Sequence, residues 1–185
     1  TRRSSDLTPF AAQYFNVTPD LMAMAKGITN AAVPMGATAV RGAIHDTVVN
    51  ATKSGVEFFH GYTYSGHPLA SAAGLATLQL YEDEALLTRV AALAPVWEEA
   101  VHTLRDAPHV IDVRNLGLVA GIELAPRPDA PGSRAYDVFV EAFFNQDLLV
   151  RSTMDILALS PPLIISPAQI EEVVSRLRRA LERVS

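Results

Sequence analysis

His60-Gly-Tyr-Thr-Tyr-Ser-Gly-His67-Pro68 divides the 185-residue chain into two kinds of sequence. It is dense in hydroxyl and imidazole groups, and its glycines free the backbone amides. Running into a helix at Pro68, such a loop can present amides and hydroxyls to a phosphate. Its two histidines have six residues between them, which is no standard metal spacing, and they read as structural or hydrogen-bonding residues. No metal site is expected. After Pro68 the pattern becomes helical. Leu69, Ala72, Ala73, Ala76 and Leu80 recur at helical spacing, with small residues that allow close packing. A second helix is expected over 84–105, its apolar face made of Leu86, Val90, Leu93, Trp97, Val101 and Leu104. Pro95 should kink or divide it.

On the N-terminal side, residues 1–9 read as a loop closing at Pro9. Phe10 to Phe15 is a short apolar segment before the turn Asn16-Val-Thr-Pro-Asp20. Leu21 to Lys26 suits a brief helix, capped by Asp20 or Thr18 and stopped at Gly27. Residues 35–40 suit a short buried strand, and 50–68 form the loop. On the C-terminal side, strands are expected over Val110–Val113 and Leu118–Leu124, then a Pro/Gly/Asp loop over 126–132. A helix follows whose stripe of Tyr136, Phe139, Val140 and Phe143 reads as core. Leu148–Val150 and Ile156–Leu159 are strand candidates. The last helix has Ser166 as N-cap, Pro167 at its first position and Gln169 as capping-box partner. Ile170, Val173, Val174, Leu177, Leu181 and Val184 form its buried stripe, and its arginine-rich outer face reads as solvated.

Composition narrows the functional classes. With 49% hydrophobic and 19% charged residues, the chain is apolar-rich rather than disordered. A globule of this length hides roughly 70% of its unfolded surface. No apolar run approaches the ~20 residues of a membrane span, and residues 1–6 lack the apolar core of a signal peptide. The net charge of −5 argues against nucleic acid or an anionic membrane as partner. Without cysteine there is no disulfide, thiolate metal site or thiol nucleophile, which fits a cytoplasmic location. Lys26 and Lys53 are the only lysines.

Three local features bear on chemistry. Lys26 lies in Leu-Met-Ala-Met-Ala-Lys-Gly, the most apolar surroundings of any charged residue here. Burial there would disfavour its ammonium form and leave a nucleophilic amine able to form a Schiff base. Equally, it reads as a lysine snorkelling from the last turn of a helix. Arg151 follows Leu148-Leu-Val150. It suits bidentate pairing with a carboxylate, or a surface role with Asp155 as salt-bridge partner. Gly117-Leu-Val-Ala-Gly121 lacks the dinucleotide fingerprint and is not a nucleotide site.

Together these segments resemble the fold-type I, pyridoxal-phosphate-dependent class III aminotransferases, most closely the omega-amino acid–pyruvate (β-alanine–pyruvate) branch. The runs that carry the resemblance are Asn16-Val-Thr-Pro-Asp-Leu-Met, Ala25-Lys-Gly-Ile-Thr-Asn, Val33-Pro-Met-Gly, the His60–Pro68 loop and Val110-Ile-Asp-Val-Arg-Asn-Leu-Gly. They stand in family order and spacing from residue 10 almost to the C-terminus. The resemblance implies an α/β fold. Residues 1–75 would be the C-terminal part of the large pyridoxal-phosphate domain, 76–105 connecting helices, and 106–185 a small α+β C-terminal domain. Lys26 would carry pyridoxal 5'-phosphate as a Schiff base. Thr63 would contact its phosphate, typically across a dimer interface into the neighbouring subunit's site, and Tyr62 would line that site. Arg151 would bind the substrate carboxylate and swing away for amines. The implied activity moves an amino group from an omega-amino acid or amine to pyruvate or a similar oxo-acid, in a homodimer or higher homo-oligomer.

The chain also departs from the family. Family members are more than twice as long, and residues 1–9 replace a glycine-rich loop carrying an arginine. The family's Gly/Ser phosphate-binding turn, its ring-stacking aromatic residue and its ring-nitrogen aspartate are expected upstream of Thr1. The activity is therefore expected of the intact protein, and the apolar excess is expected to face further chain or a dimer partner. Two rivals stand beside this reading. One is another class III member, such as a 4-aminobutyrate aminotransferase or an aminomutase. The other is a non-catalytic truncated homologue that keeps fold and dimer surface.

Overall fold

The computed structural model of the chain describes residues 10–53, 55, 56, 58 and 60–184. The loop expected over residues 1–9 lies outside them. The described residues form two compact units, one ending at Leu86 and the other starting at Leu87.

The first unit opens with a single helical turn, α1 (Ala11–Tyr14), followed by an antiparallel ribbon of β1 (Leu21–Ala25) and β2 (Gly36–Val40). The helix expected over Leu21 to Lys26 is therefore a strand. Leu, Met and Ala favour helix locally, but that preference is worth only tenths of a kcal/mol per residue. Pairing with β2, from Leu21↔Val40 to Ala25↔Gly36, overrides it. Asp20 caps no helix; its carboxylate pairs with Arg41 at 3.0 Å, and its carbonyl accepts the Arg41 amide, closing the open end of the ribbon. The buried strand expected over 35–40 is present as β2, but it is exposed apart from half-buried Ala37, because no layer among the described residues packs on that face of the two-stranded ribbon. Next comes α2 (Gly42–Ala51), which buries no residue. That helix overlaps the start of the loop expected over 50–68.

α3 (Pro68–Asp83) begins at the expected proline, but its buried face is Ala70, Gly74 and Thr77. Leu69 and Leu80, expected on the apolar face, are 69% and 50% exposed. Close packing through small residues is realised at Gly74. A Cβ there would stand 3.5 Å from Met35 Sδ and 3.6 Å from the Ile28 carbonyl. Among the described residues, the first unit buries only Thr29, Ala70, Gly74 and Thr77.

The second unit has a true core. α4 (Leu86–His102) runs unbroken through Pro95, so the proline does not divide it. The buried stripe of Val90, Leu93, Trp97 and Val101 holds both halves against the core and offsets the lost backbone bond. A four-stranded antiparallel sheet follows, ordered β3 (Val110–Leu116), β4 (Val119–Leu124), β6 (Ile156–Leu159), β5 (Arg151–Thr153). Alternation along β4 and β6 turns Ala120, Ile122, Leu124, Leu157 and Leu159 into the core. The strand candidate at Leu148–Val150 is displaced, because the Leu148 amide still bonds Ala142 at the end of the preceding helix and pairing begins only at Arg151↔Ala158.

That helix, α5 (Ser133–Gln146), buries Ala135, Val138, Ala142 and Gln146. The aromatic stripe is not core: Tyr136 and Phe143 are exposed, and only Phe139 packs against the core edge. The face turned inward is that of Ala135, Val138, Ala142 and Gln146, and Tyr136 and Phe143 lie outside it.

α6 (Pro167–Arg183) carries the expected capping box. Ser166 Oγ accepts the Gln169 amide at 3.3 Å, and Gln169 Oε1 accepts the Ser166 amide at 2.9 Å. Ile170, Val174, Leu177 and Leu181 are buried, each contributing about 2 kcal/mol; Val173 and Val184 are half-buried. The outer arginines are not merely solvated. Arg176 reaches the Gln146 carbonyl, Arg178 the Thr103 carbonyl, Arg179 the Gln146 side chain and Arg183 the Glu141 carboxylate.

Candidate active site

Lys26 follows the last residue of β1 and opens a 3-10 turn, Lys26–Ile28. Its φ of +59° lies in the left-handed region, and Asn30 and Ala31 in the same turn are also left-handed, at +48° and +59°. Each such non-glycine residue is disfavoured by roughly 1–2 kcal/mol. The turn keeps this geometry because it is tied at many points. The Lys26 carbonyl accepts the amides of Thr29 and Ala31, at 3.2 and 3.4 Å. Buried Thr29 donates its hydroxyl to the Val33 carbonyl at 2.7 Å, and Tyr81 of α3 donates to the Gly27 carbonyl at 2.9 Å. The bare Cα of Gly74 lets α3 come up beneath the turn.

The Lys26 side chain is exposed, with no hydrogen bond or ion pair among the described residues. This corrects both local readings. The amine is not desolvated by its own apolar neighbours, and it does not snorkel from a helix end. Tyr81, which holds the turn from 54 positions along the chain, was not foreseen. A helical tyrosine carries no local signal of such a bond.

The loop ahead of α3 turns back on itself over 63–66. Tyr62 and Ser65 exchange hydrogen bonds, amide to Oγ at 3.1 Å and amide to carbonyl at 2.9 Å. The His67 amide bonds the Tyr64 carbonyl, and Gly66 at φ +69° supplies the left-handed step. Thr63 therefore sits at the tip of a knotted turn, exposed, between Tyr62 and Tyr64, which are 76% and 79% exposed. His60 stacks edge-on with Tyr62 at 5.2 Å, while His67 Nδ1 is buried with no hydrogen-bond partner among the described residues. Among the described residues no cluster of His, Asp and Glu is disposed to hold a metal ion. A cleft of ≈ 950 Å3 between ribbon and loop is lined by Met24, Met35, Thr38, His60, Tyr62 and His67, but not by Lys26 or Thr63.

Arg151 opens β5 in the second unit, opposite Ala158. It is exposed, and its side chain makes no ion pair or hydrogen bond among the described residues. Asp155, its local alternative partner, instead accepts the Gly132 amide at 2.8 Å. The guanidinium is therefore available to an anion. It borders a cleft of ≈ 1130 Å3 whose wall includes Trp97, Leu149, Pro161, Ile164 and Arg176.

A family model described as aminotransferase class-III matches residues 8–181. The chain belongs to the class-III aminotransferase family. Members of that family depend on pyridoxal phosphate. The class-III chain is 57% identical over 176 residues to an omega-aminotransferase of Caulobacter vibrioides, covering 95% of this chain and 40% of the relative. It is 41% identical to the beta-alanine–pyruvate aminotransferase of Pseudomonas aeruginosa, over 94% of this chain and 39% of that protein. Among solved structures, the omega transaminase from Pseudomonas jessenii in complex with PMP matches at a TM-score of 0.88 and 27% identity, covering 97% of this chain and 41% of that one. The class-III chain thus spans about 40% of the length of the curated relatives it matches.

Proposed function

We propose that residues 1–185 act within a longer pyridoxal-phosphate-dependent transaminase, which moves an amino group from an omega-amino acid or amine to pyruvate or a similar oxo-acid. Residues 1–75 belong to its large cofactor domain, 76–105 connect, and 106–185 form its small α+β domain. The observation that carries this reading is Lys26. Its unpartnered amine stands on a left-handed backbone locked by Thr29, Tyr81 and the approach of α3.

The residues present fit the cofactor: a free primary amine at Lys26, and at Thr63 an exposed hydroxyl on a glycine-containing turn that leads into a helix. Pyridoxal phosphate, when bound, supplies an electron sink for the negative charge that develops at the substrate carbon. Lys26 Nζ is the group that would link to it and, once displaced by the incoming amine, would move a proton from the substrate carbon to the cofactor carbon, and in the second half of the exchange move one back the other way. Thr63 donates to the phosphate, in a homodimer to that of the neighbouring subunit, and Tyr62 walls the same site. Arg151 pairs with the substrate carboxylate through its planar fork and withdraws for donors that lack one. The exposed apolar side chains of the first unit face further chain or the dimer partner. The enzyme is assigned to the cytoplasm; no helix among the described residues is long and apolar enough to cross a membrane.

Borohydride reduction of the full-length protein with pyridoxal phosphate, followed by peptide mapping, tests the reading. Within residues 1–185 the label has two lysines to choose from. It is expected on Lys26, and Lys26→Ala should lower transaminase turnover by about 10^3-fold or more. Label on Lys53 alone, or activity surviving Lys26→Ala, would overturn it.

A further inference from the structure

The segment that delivers Arg151 to its place starts at an unusual point. α5 ends at Gln146, and the next residue, Asp147, is left-handed at φ +49° although it is not glycine. The chain then has four residues to travel before Arg151 opens β5. No strand pairing guides those four; the Leu148 amide is bonded back to Ala142 instead.

What holds the turn comes from α6. Arg176 donates through NH1 to the Gln146 carbonyl at 2.5 Å and to the Asp147 carbonyl at 3.3 Å. These are the orphan acceptors at the C-terminal end of α5, where a cation is favoured. Its other face is fixed in turn, Nε and NH2 both donating to Glu172 Oε1, at 3.0 and 2.6 Å. Gln146 is itself buried, 6% exposed, and accepts Arg179 Nε at 2.8 Å. Arg176, Asp147 and Arg151 all border the same cleft.

We propose that Arg176 is a positioning residue for Arg151: it clamps the left-handed exit of α5 and so sets where the carboxylate-binding guanidinium stands. The inference rests on the reading of Arg151 as the carboxylate ligand. The Arg176 guanidinium is engaged with the Gln146 and Asp147 carbonyls and with Glu172, so its effect on Arg151 passes through the backbone of 147–150. A displacement of about 1 Å at such a ligand is enough to cost ten-fold or more in its interaction.

The test compares donors in the first half-reaction of the full-length protein, followed by the change in cofactor absorbance. β-Alanine carries a carboxylate and 1-phenylethylamine does not. Arg176→Met should raise the half-saturating concentration of β-alanine by about ten-fold, with its limiting rate and both constants for the amine held within about two-fold. Arg176→Lys, which keeps a single donor for the Gln146 carbonyl, should recover part of the loss and gives a folded variant should methionine not be tolerated. In an Arg151→Ala background, Arg176→Met should add nothing further. Equal losses for both donors, no loss for β-alanine, or an additive loss in the Arg151→Ala background would overturn the proposal. If Arg151→Ala alone leaves β-alanine unaffected, the reading of Arg151 fails, and the role of Arg176 falls with it.

Discussion

Lys26 shows how backbone and side chain divide the work at one residue. Its left-handed φ is maintained by neighbours that never touch the amine, so the amine is left free while the Cα is fixed. Thr63 is the complementary case, an exposed hydroxyl held out on a turn. Its predicted service to a neighbouring subunit can be separated from service to its own. Chains carrying Lys26→Ala, co-assembled with chains carrying Thr63→Ala, should regain one intact site per mixed dimer and about half of the parental activity per dimer. No recovery on mixing would place Thr63 in its own subunit's site.

Glu141 offers a third residue-scale prediction. The Asn145 amide, then Arg183 and Gln146, hold its carboxyl below the usual carboxylate range, against an opposing effect of burial. A depressed folded value contributes stability above the unfolded pKa, and that contribution is lost as pH falls through the folded value. Glu141→Gln should therefore lower Tm at neutral pH, and the difference from the parent should shrink as pH falls through the ordinary glutamate range and vanish below the depressed folded value. A Tm difference that does not change with pH would contradict this.

At the scale of elements, packing and pairing decided what local propensity left open. The segment Leu21–Ala25 suits a helix in isolation and is a strand because β2 lies beside it. On α5, ring size pointed to a core stripe, yet the buried face is that of Ala135, Val138, Ala142 and Gln146. By contrast, the cap of α6 was legible: Ser166, Pro167 and Gln169 act within one turn, and the Ser166–Gln169 bonds formed as their spacing predicts. Gly132 marks the entry to α5 in the same local way. It has φ +83°, and an added Cβ would stand 3.4 Å from Met154 Cα, with backbone atoms around it. Gly132→Ala should destabilise the protein by about 1–2 kcal/mol, read as a shift in denaturant midpoint with an unchanged slope. An unaltered midpoint would show that this turn relaxes freely.

Across the whole molecule, the two units differ in how they bury apolar surface. From Leu87 onward the chain closes a core around Trp97, Ile122, Leu157, Ile170 and Leu177. Up to Leu86 it buries almost nothing of its own among the described residues, and Leu69, Leu75, Leu78, Ile44 and Val48 stay exposed. Residues 87–185 expressed alone should therefore unfold cooperatively by circular dichroism, while residues 1–86 alone should show no cooperative transition and should bind a hydrophobic dye. A cooperative transition in 1–86 would contradict the idea that its apolar faces need further chain or a partner.

Family membership, the cofactor class, the capping box and the helices after Pro68 could all be drawn from the residues, because each depends on spacing within a few turns or on a motif read as a whole. The strand at Leu21–Ala25, the true buried faces of α3 and α5, the support of Lys26 by Tyr81 and the grip of Arg176 on the end of α5 could not. Each is a contact between residues distant in the chain, made or refused according to which backbone stands within hydrogen-bonding reach. No local pattern encodes that distance, so tertiary packing alone decided it.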